Sequence, residues 1–385
     1  MTFSELIVTL NSKAISMRSI LYLMILSAHL SMGAPKDQPI PLKVAVIGLT
    51  HTHVHWIFSS VKRGDIEIVG IVEPNQQLAF RYADQYDFPK ELIFESKERM
   101  IKAVRPEAVT AFGTIFEHLE VVQFFAPLGI HVMVEKPLAV SLDHALEMAM
   151  LARQHKIQLL TNYETTWYPT NHHAHQLLAS DSIGMIRKVV VRDGHRGPKK
   201  IGVNEEFLSW LTDPIQNGAG ALTDFGCYGA NLMTWLMNGE RPLEVTALTH
   251  QLQAENNPKV DDEAIILLKY ENAVAVLQPS WNWPIGRKDM EVYGETGAIF
   301  ADNRKELRVR MAEGYDGYKE YALTLEERLP PFDDPFSYLA GVVRGTIQPA
   351  RYDLSSLENN LVVMEILQAA KESAQMGKTI QLNTN

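Results

Sequence analysis

Short apolar runs alternate with stretches of helical spacing from Leu42 to about residue 165. The runs are rich in β-branched residues and have the length of buried strands, as expected in a parallel sheet that is covered on both faces. The predicted strands are 43–48, 66–72, 108–112, 131–134 and 158–161. The predicted helices between them include 76–86, 119–128 and 142–156. Because strands and helices alternate, we expect residues 42–165 to form an α/β domain with a doubly wound parallel sheet.

After about Pro169 the predicted strands follow one another directly, with turns of hairpin type such as Glu271-Asn272. These strands are 186–192, 245–251, 263–270, 273–278, 289–293, 298–301 and 307–310. The spacing predicts a second, α+β domain over residues 166–354, with a large, mostly antiparallel open sheet. Residues 355–385 are predicted as a C-terminal helix and tail, because apolar side chains recur there at helical spacing.

The N-terminus has the layout of a secretory signal. A basic start at Met17 precedes an apolar stretch at 20–26 and small residues up to Ala34. This stretch is too short to cross a bilayer, and no later segment has the apolar length of a membrane span. We therefore predict a signal peptide at residues 1–34, with Met17 as a possible true start, and export to the periplasm. The alternative is an N-terminal arm packed on a cytoplasmic protein.

The amino-acid composition limits the classes of protein to which this chain can belong. The 385 residues contain 36 Lys and Arg against 46 Asp and Glu, which gives a formal net charge of −10. A nucleic-acid-binding protein needs a basic face to neutralise phosphates, so this balance argues against that class. The single cysteine, Cys227, excludes an internal disulfide framework and a cysteine-based metal centre.

The turn after the first strand has the layout of a dinucleotide site. The strand ends in Gly48, a helix follows, and Glu73 ends the next strand. A carboxylate there can bind the ribose hydroxyls of an adenosine and would repel a 2′-phosphate, so NAD is preferred to NADP. Where Gly-x-Gly-x-x-Gly would stand, the chain reads Gly48-Leu49-Thr50-His51-Thr52-His53, so two of the three glycines are missing. Donors to the pyrophosphate are then expected from Thr50, Thr52 and the helix N-terminus.

Three histidines alternate in this loop, at His51, His53 and His55, and form a candidate set of metal ligands. The position is the expected start of a helix, where side chains two residues apart point in different directions. The sequence therefore predicts no metal site. A polar lining of the cofactor mouth that includes His51 is preferred.

A Glu135-Lys136-Pro137 turn follows the predicted strand 131–134. A lysine at the carboxyl edge of a sheet is exposed enough to act and shielded enough for its basicity to be tuned. Here the chain resembles the Gfo/Idh/MocA family, which includes glucose-fructose oxidoreductase and inositol dehydrogenase. The resemblance lies in the motifs at 129–139, 218–228 and 369–374, and it extends over about residues 42–382.

This resemblance implies that Lys136 is the active-site lysine beside the nicotinamide and the substrate hydroxyl, and that Asp224 is the substrate-side carboxylate. Many members have His where this chain has Tyr228 and Asp where it has Asn231, although glucose-fructose oxidoreductase also has the tyrosine. Asp224 and Tyr228 are i and i+4 in a predicted helix, so the spacing alone places them on one face. Tyr228 would relay a proton if Lys136 stabilised its phenolate.

The remaining predicted site residues are expected around the same crevice. Those expected to bind the cofactor are Gly48, Thr50, His51, Thr52, Glu73, Gly113, Thr114, His118, Glu135 and Lys136. Those expected to bind substrate are Asn162, Tyr163 and Trp167, at the domain junction. Aromatic faces stack on pyranose rings, and Trp210, Trp281 and Trp283 offer further faces in the second domain.

The favoured function is an NAD(P)-dependent oxidoreductase that transfers hydride between nicotinamide and a hydroxyl of a sugar, sugar alcohol or glycoside. An exported enzyme meets no free nicotinamide pool, so we expect tightly bound cofactor that a second substrate recycles. Two alternatives remain open: redox-assisted glycoside cleavage through a 3-keto intermediate, and a non-catalytic sugar-binding descendant of the family. The resemblance also implies a homo-oligomer, a dimer or tetramer, formed through the open face of the second sheet.

Overall fold

A six-stranded parallel sheet, sheet A, forms the first half of the computed structural model, which describes residues 40–382. Its strands are β1 (Leu42–Ile47), β2 (Ile66–Val72), β3 (Ile93–Phe94), β4 (Ala108–Ala111), β5 (His131–Glu135) and β6 (Leu159–Asn162). The strand order β3-β2-β1-β4-β5-β6 is that of a Rossmann fold, and the direction of winding reverses between β1 and β4. The predicted signal peptide, 1–34, lies outside the described residues.

Helices cover both faces of sheet A. They are α1 (Val54–Ser60), α2 (Gln76–Tyr86), α3 (Lys97–Ala103), α4 (His118–Phe125) and α5 (Leu142–His155). Alternate residues of β1 enter different cores: Val44 and Val46 share one with α1 and α2, whereas Ala45 and Ile47 share one with α4 and α5. Because β1 is buried on both faces, its sequence is a continuous apolar run.

Sheet B has nine strands and is antiparallel except where β7 pairs with β10. Its strands are β7 (Lys188–Gly194), β8 (Glu244–His250), β9 (Glu263–Lys269), β10 (Val274–Ser280), β11 (Arg287–Tyr293), β12 (Gly297–Ala301), β13 (Glu306–Glu313), β14 (Gly317–Thr324) and β15 (Ile380–Gln381). The order across the sheet is β14-β13-β12-β11-β7-β10-β9-β8-β15. The sequence pattern missed β14 because all of its residues are exposed, so the strand has no apolar face.

The other helices follow β6 in the chain and lie before, between or after the strands of sheet B. They are α6 (Pro169–Ala179), α7 (Pro198–Ile201), α8 (Glu205–Leu211), α9 (Ala221–Leu236), α10 (Pro335–Val343) and α11 (Leu357–Met376). Helix α9 lies on β7, β9 and β10, while α11 packs on α9 and β8 and also reaches α5 and β6 of sheet A. The predicted fold class is confirmed, and from Pro41 onward the chain forms one compact unit. Among residues 40–382, no helix combines the length and apolarity needed to span a membrane.

Helix α10 packs against sheet A, although the sequence analysis placed residues 166–354 in the second domain. Phe336 and Leu339 are buried in the core that also contains β1 and α1. Asp334 begins this helix, since its carboxylate accepts the backbone N–H groups of Phe336 and Ser337. Apolar spacing identifies the buried face of a helix but not the sheet that it covers, so this return to sheet A could not be predicted.

Candidate active site

Lys136 directly follows β5, and its ammonium group lies against the carboxylate of Asp224 on α9. Nζ donates hydrogen bonds to Asp224 Oδ1 and, at 3.0 Å, to the backbone carbonyl of Asp224. The two side chains are only 6% and 5% exposed. The carboxyl edge of sheet A and the helix over sheet B therefore bring the predicted lysine and carboxylate together.

Tyr228 lies one turn after Asp224 on α9, as the i,i+4 spacing predicted. Lys136 Nζ is 5.3 Å from the centre of the Tyr228 ring, and Lys288 Nζ is 5.0 Å from it. Tyr163 packs edge-on against the same ring, with 5.4 Å between the ring centres. All three predicted catalytic residues thus form one buried cluster, and Lys288 joins them from β11.

The charges of the cluster are set by ion pairing. Burial alone would lower the pKa of Lys136 and raise that of Asp224, but their mutual attraction outweighs it. The pKa of Lys136 is therefore raised and the pKa of Asp224 lowered, so both groups are charged at neutral pH. Burial, together with the negative charge of Glu164, raises the pKa of Tyr228 well above its usual value.

The expectation that Lys136 stabilises a Tyr228 phenolate is therefore wrong for this structure. The ammonium gives its hydrogen bonds to Asp224 and faces the aromatic ring rather than the phenol oxygen. Tyr228 is a neutral phenol, which can donate a hydrogen bond but does not accept a proton readily.

Trp281 holds the second oxygen of Asp224, a role that the sequence analysis missed. Its Nε1 donates to Asp224 Oδ2 at 2.9 Å, and the side chain is fully buried. The suggestion that Trp281 offers an aromatic face to a sugar is wrong, because the ring lies in the core. The signal that could have revealed this role is the position of Trp281 directly after β10, which is one of the strands that lie under α9.

A cavity of about 290 Å³ opens beyond the carboxyl ends of β1, β2 and β4, and Gly48, Gly113, Thr114 and His118 line it. Gly48 has a φ of +79°, and a Cβ atom there would lie 2.7 Å from the Gly113 nitrogen, so a side chain does not fit. Burial lowers the pKa of His118 to about 4. Its Nε2 is buried and has no hydrogen-bond partner among the described residues, which suits a polar atom of a ligand.

The wall of this cavity is acidic. It includes Glu95, Glu98, Glu117 and Glu120, and the single lysine of the lining, Lys97, is paired with Glu120. Carboxylates favour the hydroxyls of a ribose and repel a 2′-phosphate.

Glu73 directly follows β2, as predicted, but its carboxylate is held by backbone groups. Oε2 accepts the N–H of Leu49 and Oε1 accepts the N–H of Asn75, both at 2.9 Å. The side chain is buried, which raises its pKa, and it is not among the residues that line the cavity. Glu73 thus joins the loop after β1 to the start of α2, and its contact with a ribose stays a prediction.

The loop after β1 packs under α8. Thr50 Oγ1 accepts a hydrogen bond from Trp210 Nε1 at 3.1 Å, and the ring centre of His51 is 4.7 Å from that of Phe207. Thr50, a predicted phosphate ligand, and His51, predicted to line the cofactor mouth, therefore already have partners within the protein, while Thr52 is partly exposed. The sequence pattern could not show this contact, because α8 belongs to a distant segment.

His51 and His53 meet Glu135, which corrects the expectation that the alternating histidines diverge. The two imidazole rings are 4.6 Å apart, and His53 Nδ1 is 2.9 Å from Glu135 Oε2. They meet because α1 begins only after His53, so the preceding residues form a turn. His55, inside the helix, does diverge and contacts Tyr86. Burial alone would raise the pKa of Glu135, but the attraction of His53 lowers it to about 2.

The predicted substrate residues support the Glu-Lys-Pro turn. Asn162 Nδ2 donates to Glu135 Oε1 at 2.7 Å, and Trp167 Nε1 donates to Asn162 Oδ1 at 3.0 Å. Tyr163 is buried, and its hydroxyl has no hydrogen-bond partner in the described part of the chain. All three residues are therefore near the cluster, and of their side-chain polar groups only the Tyr163 hydroxyl has no hydrogen-bond partner within residues 40–382.

A second cavity, of about 460 Å³, adjoins the cluster on the side of sheet B. Phe225 lines it next to Asp224 in sequence, and Lys288, paired with Glu164, lies between it and the Tyr228 ring. Its other lining residues include Tyr168, His195, Arg287, Asp302, Asn303 and Arg304. The sequence analysis missed this polar wall because its residues come from separate strands and loops.

Two family descriptions match the chain. Residues 42–163 match "Oxidoreductase family, NAD-binding Rossmann fold", and residues 171–300 match "GFO/IDH/MocA C-terminal domain". The first range contains sheet A, and the second contains Asp224, Tyr228 and Trp281.

Similar proteins are oxidoreductases. Trans-1,2-dihydrobenzene-1,2-diol dehydrogenase of Xenopus tropicalis is 26% identical over 214 residues, which is 55% of this chain but only 60% of that protein. The structure of aldose-aldose oxidoreductase from Caulobacter crescentus, complexed with glycerol, matches with a TM-score of 0.73 and 20% identity over 89% of this chain and 100% of the other. An inositol dehydrogenase homologue from Azotobacter vinelandii, complexed with NAD⁺, has a TM-score of 0.77 and 16% identity over 90% and 99% of the two chains. At such identities the two structures show a shared fold.

Proposed function

This chain belongs to the Gfo/Idh/MocA oxidoreductase family, and from that premise we propose that it transfers hydride between NAD and a hydroxyl group of a sugar, a sugar alcohol or a glycoside. One observation carries the proposal: the buried pair of Lys136 and Asp224 lies beside Tyr228 at the carboxyl edge of sheet A. The cavity beyond β1, β2 and β4 lies at the same edge. In such sheets, ligands bind where the winding reverses.

The lining of the 290 Å³ cavity fits the adenosine half of NAD. Gly48 has no side chain, so its backbone is open to the cavity, and Thr114 and His118 offer polar atoms. The acidic wall favours a ribose without a 2′-phosphate. These residues would hold the cofactor, and the bound nicotinamide would supply the hydride acceptor or donor. The acidic wall is also the reason for proposing NAD rather than NADP.

Lys136 is the proposed proton donor and acceptor at the substrate oxygen. In the resting state it is an ammonium group, so it can donate a proton to a carbonyl oxygen that is being reduced. In the direction of oxidation it must first lose that proton, which Asp224 opposes. Asp224 holds the ammonium group in place, and the Tyr228 phenol can donate a hydrogen bond to the same substrate oxygen.

The 460 Å³ cavity is the proposed substrate site. It combines the aromatic rings of Phe225 and Tyr168 with charged groups such as Lys288 and Arg304, a mixture that suits a polyhydroxylated ring. The names of the relatives, a dihydrodiol dehydrogenase and an aldose-aldose oxidoreductase, support substrates with several hydroxyl groups.

We further propose that the protein is exported with its cofactor tightly bound, and that a second substrate recycles it. The basis is the N-terminal layout, because an exported enzyme has no access to a free nicotinamide pool. Protein purified from its native compartment should release a nicotinamide dinucleotide on denaturation, detectable by mass spectrometry. Its absence from properly folded protein would contradict tight binding.

The replacement Lys136→Met tests the proposed function. It removes the proton donor, so NAD-linked turnover of sugars, polyols and aryl glycosides should fall by about 10²–10⁴-fold, measured by NADH absorbance. Binding of adenosine nucleotides should be retained, because the cavity for them is elsewhere. Lys371→Met is the matched control, since Lys371 is a half-buried lysine that, among the described residues, donates only to the Val140 carbonyl. Full turnover in Lys136→Met would refute the proposed role.

A non-catalytic sugar-binding protein is the second candidate, and the packing of the loop under α8 favours it. The His51 side chain occupies space in the loop where the Gly-x-Gly-x-x-Gly motif would leave the backbone uncovered. Calorimetric titration of protein freed of any bound nucleotide, with NAD⁺ and NADP⁺, separates the candidates, because a non-catalytic descendant that lost its cofactor would bind neither nucleotide.

A further inference from the structure

We propose that His51, His53 and Glu135 form a binding site for one divalent transition-metal ion of the zinc class. Each residue offers a ligand atom, and the three atoms lie within 4.8 Å of one another. This is the one group of its kind within residues 40–382. Two imidazoles and one carboxylate are a recurrent ligand set for such metals, with the fourth position left to water or another ligand.

Glu135 is the one carboxylate among the three ligands, and a cation would balance its negative charge. Glu135 is 1% exposed, and a buried carboxylate needs a partner of opposite charge or a metal. The nearest permanent cation, Lys136, already forms an ion pair with Asp224. Around Glu135 the hydrogen-bond partners are therefore an imidazole, from His53, and an amide, from Asn162.

The surrounding residues hold the ligands in place, as expected of a built metal site. Asn162 fixes the free oxygen of Glu135 at 2.7 Å and is itself held by Trp167. The backbone N–H of His53 donates to His51 Nδ1 at 3.1 Å, so this nitrogen is unprotonated, and a metal ion bound there would replace the N–H at its lone pair. His53 is 17% exposed, which gives an ion a path from solvent.

A cation at this point would also add positive charge beside the loop that lacks two phosphate-binding glycines. Binding of the metal does not depend on the proposed hydride transfer, because all three protein ligands are present without substrate or nucleotide. The metal itself can therefore serve as the probe, and failure of either proposal leaves the other standing.

The test is a titration of the full chain, freed of any affinity tag and of metal, with Zn²⁺ and with Co²⁺. Calorimetry should show one equivalent of Zn²⁺, and Co²⁺ should give the visible absorption of a site with nitrogen and oxygen ligands. His53→Ala and the isosteric Glu135→Gln should each weaken Zn²⁺ binding by more than about tenfold. His55→Ala is the matched control, since this histidine belongs to the same row but points to Tyr86, and it should leave the affinity unchanged.

Circular dichroism and thermal unfolding would confirm that each variant is folded. Should His53→Ala fail to fold, Glu135→Gln keeps the test valid, because it preserves the shape of the side chain. The proposal is overturned if the wild-type chain binds no metal, or if His55→Ala loses as much affinity as His53→Ala. It is also overturned if Glu135→Gln binds Zn²⁺ as tightly as the wild type.

Discussion

At the scale of residues, the site depends on how Asp224 is held. One carboxylate oxygen is bound by Lys136 and the other by Trp281, so a buried anion has a cation and an indole N–H as partners. Removing a partner from a buried charge costs more than the hydrogen bond is worth on balance, because the charge stays desolvated. Trp281 is therefore a positioning residue for the proposed proton transfer.

Trp281→Phe tests this role while keeping an aromatic ring in the core. The loss of a hydrogen bond to a charged group should lower the free energy of unfolding by about 1.5–3 kcal/mol. Asp224 would then position Lys136 less firmly, so kcat should fall as well. Trp283→Phe is the matched control, because its buried Nε1 has no hydrogen-bond partner in the described part of the chain. Denaturant unfolding and steady-state kinetics measure both effects. Equal losses in the two variants would argue against a specific role for Trp281.

The pKa shift of Lys136 predicts a pH dependence that differs between the two reaction directions. Its raised pKa keeps the ammonium group present through the pH range in which an ordinary lysine loses its proton, so the rate of carbonyl reduction should stay level from neutral pH through that range and fall only above it. The rate of alcohol oxidation should rise over the same range, because it needs the neutral amine. Rates of the hydride-transfer step measured in both directions check this, and a fall of the reduction rate near pH 7 would point to another proton donor.

The residues that sequence could predict are those in contiguous motifs. Lys136 follows a recognisable strand, and Asp224 and Tyr228 share a helix face by spacing alone. Trp281, Lys288 and the partners of the loop after β1 could not be predicted in these roles, because they join the site only through the packing of distant segments.

At the scale of elements, the turn after β1 depends on Gly48. An alanine there would combine a strained positive φ with a Cβ atom 2.7 Å from the backbone of Gly113. Gly48→Ala should therefore lower stability by clearly more than the ~1 kcal/mol expected for strain alone, and it should weaken nucleotide binding. Both changes can be measured, by thermal unfolding and by calorimetry.

Gly64→Ala separates the effect of the positive φ from the effect of the steric clash between a Cβ atom and Gly113. Gly64 has a similar φ of +84°, but a Cβ atom there would meet no atom within 4 Å. This variant should show only the smaller loss of stability and normal nucleotide binding. If both variants behave alike, close packing against Gly113 is not what makes Gly48 necessary.

At the scale of the whole molecule, the alternation of elements was enough to predict a parallel sheet followed by a mostly antiparallel one. Strand β14 and helix α10 show where such prediction ends. An exposed edge strand such as β14 has no apolar face to detect, and the apolar face of α10 does not reveal that the chain returns to sheet A. The sheet that α10 covers is a tertiary property, which depends on contacts that no local pattern encodes.

The open face of sheet B carries the last prediction, that this chain forms a homo-oligomer through it. Helices α9 and α11 cover the opposite face, while Leu248 and Leu267 remain 64% and 46% exposed. In the strand register, Leu248 is paired with Ile265, and Leu267 with Val276, so these side chains form one continuous apolar patch. Apolar patches of this kind mark interaction surfaces.

Leu267→Glu places a charge in the middle of this patch, and two copies facing each other would have to bury it. Size-exclusion chromatography with light scattering should show a dimer or tetramer for the wild-type chain and a monomer for Leu267→Glu. Leu329→Glu is the control, because Leu329 is 81% exposed but lies outside sheet B, and it should leave the mass unchanged. A wild-type monomer at micromolar concentration, or an oligomer that persists in Leu267→Glu, would mean that the open face is not the interface.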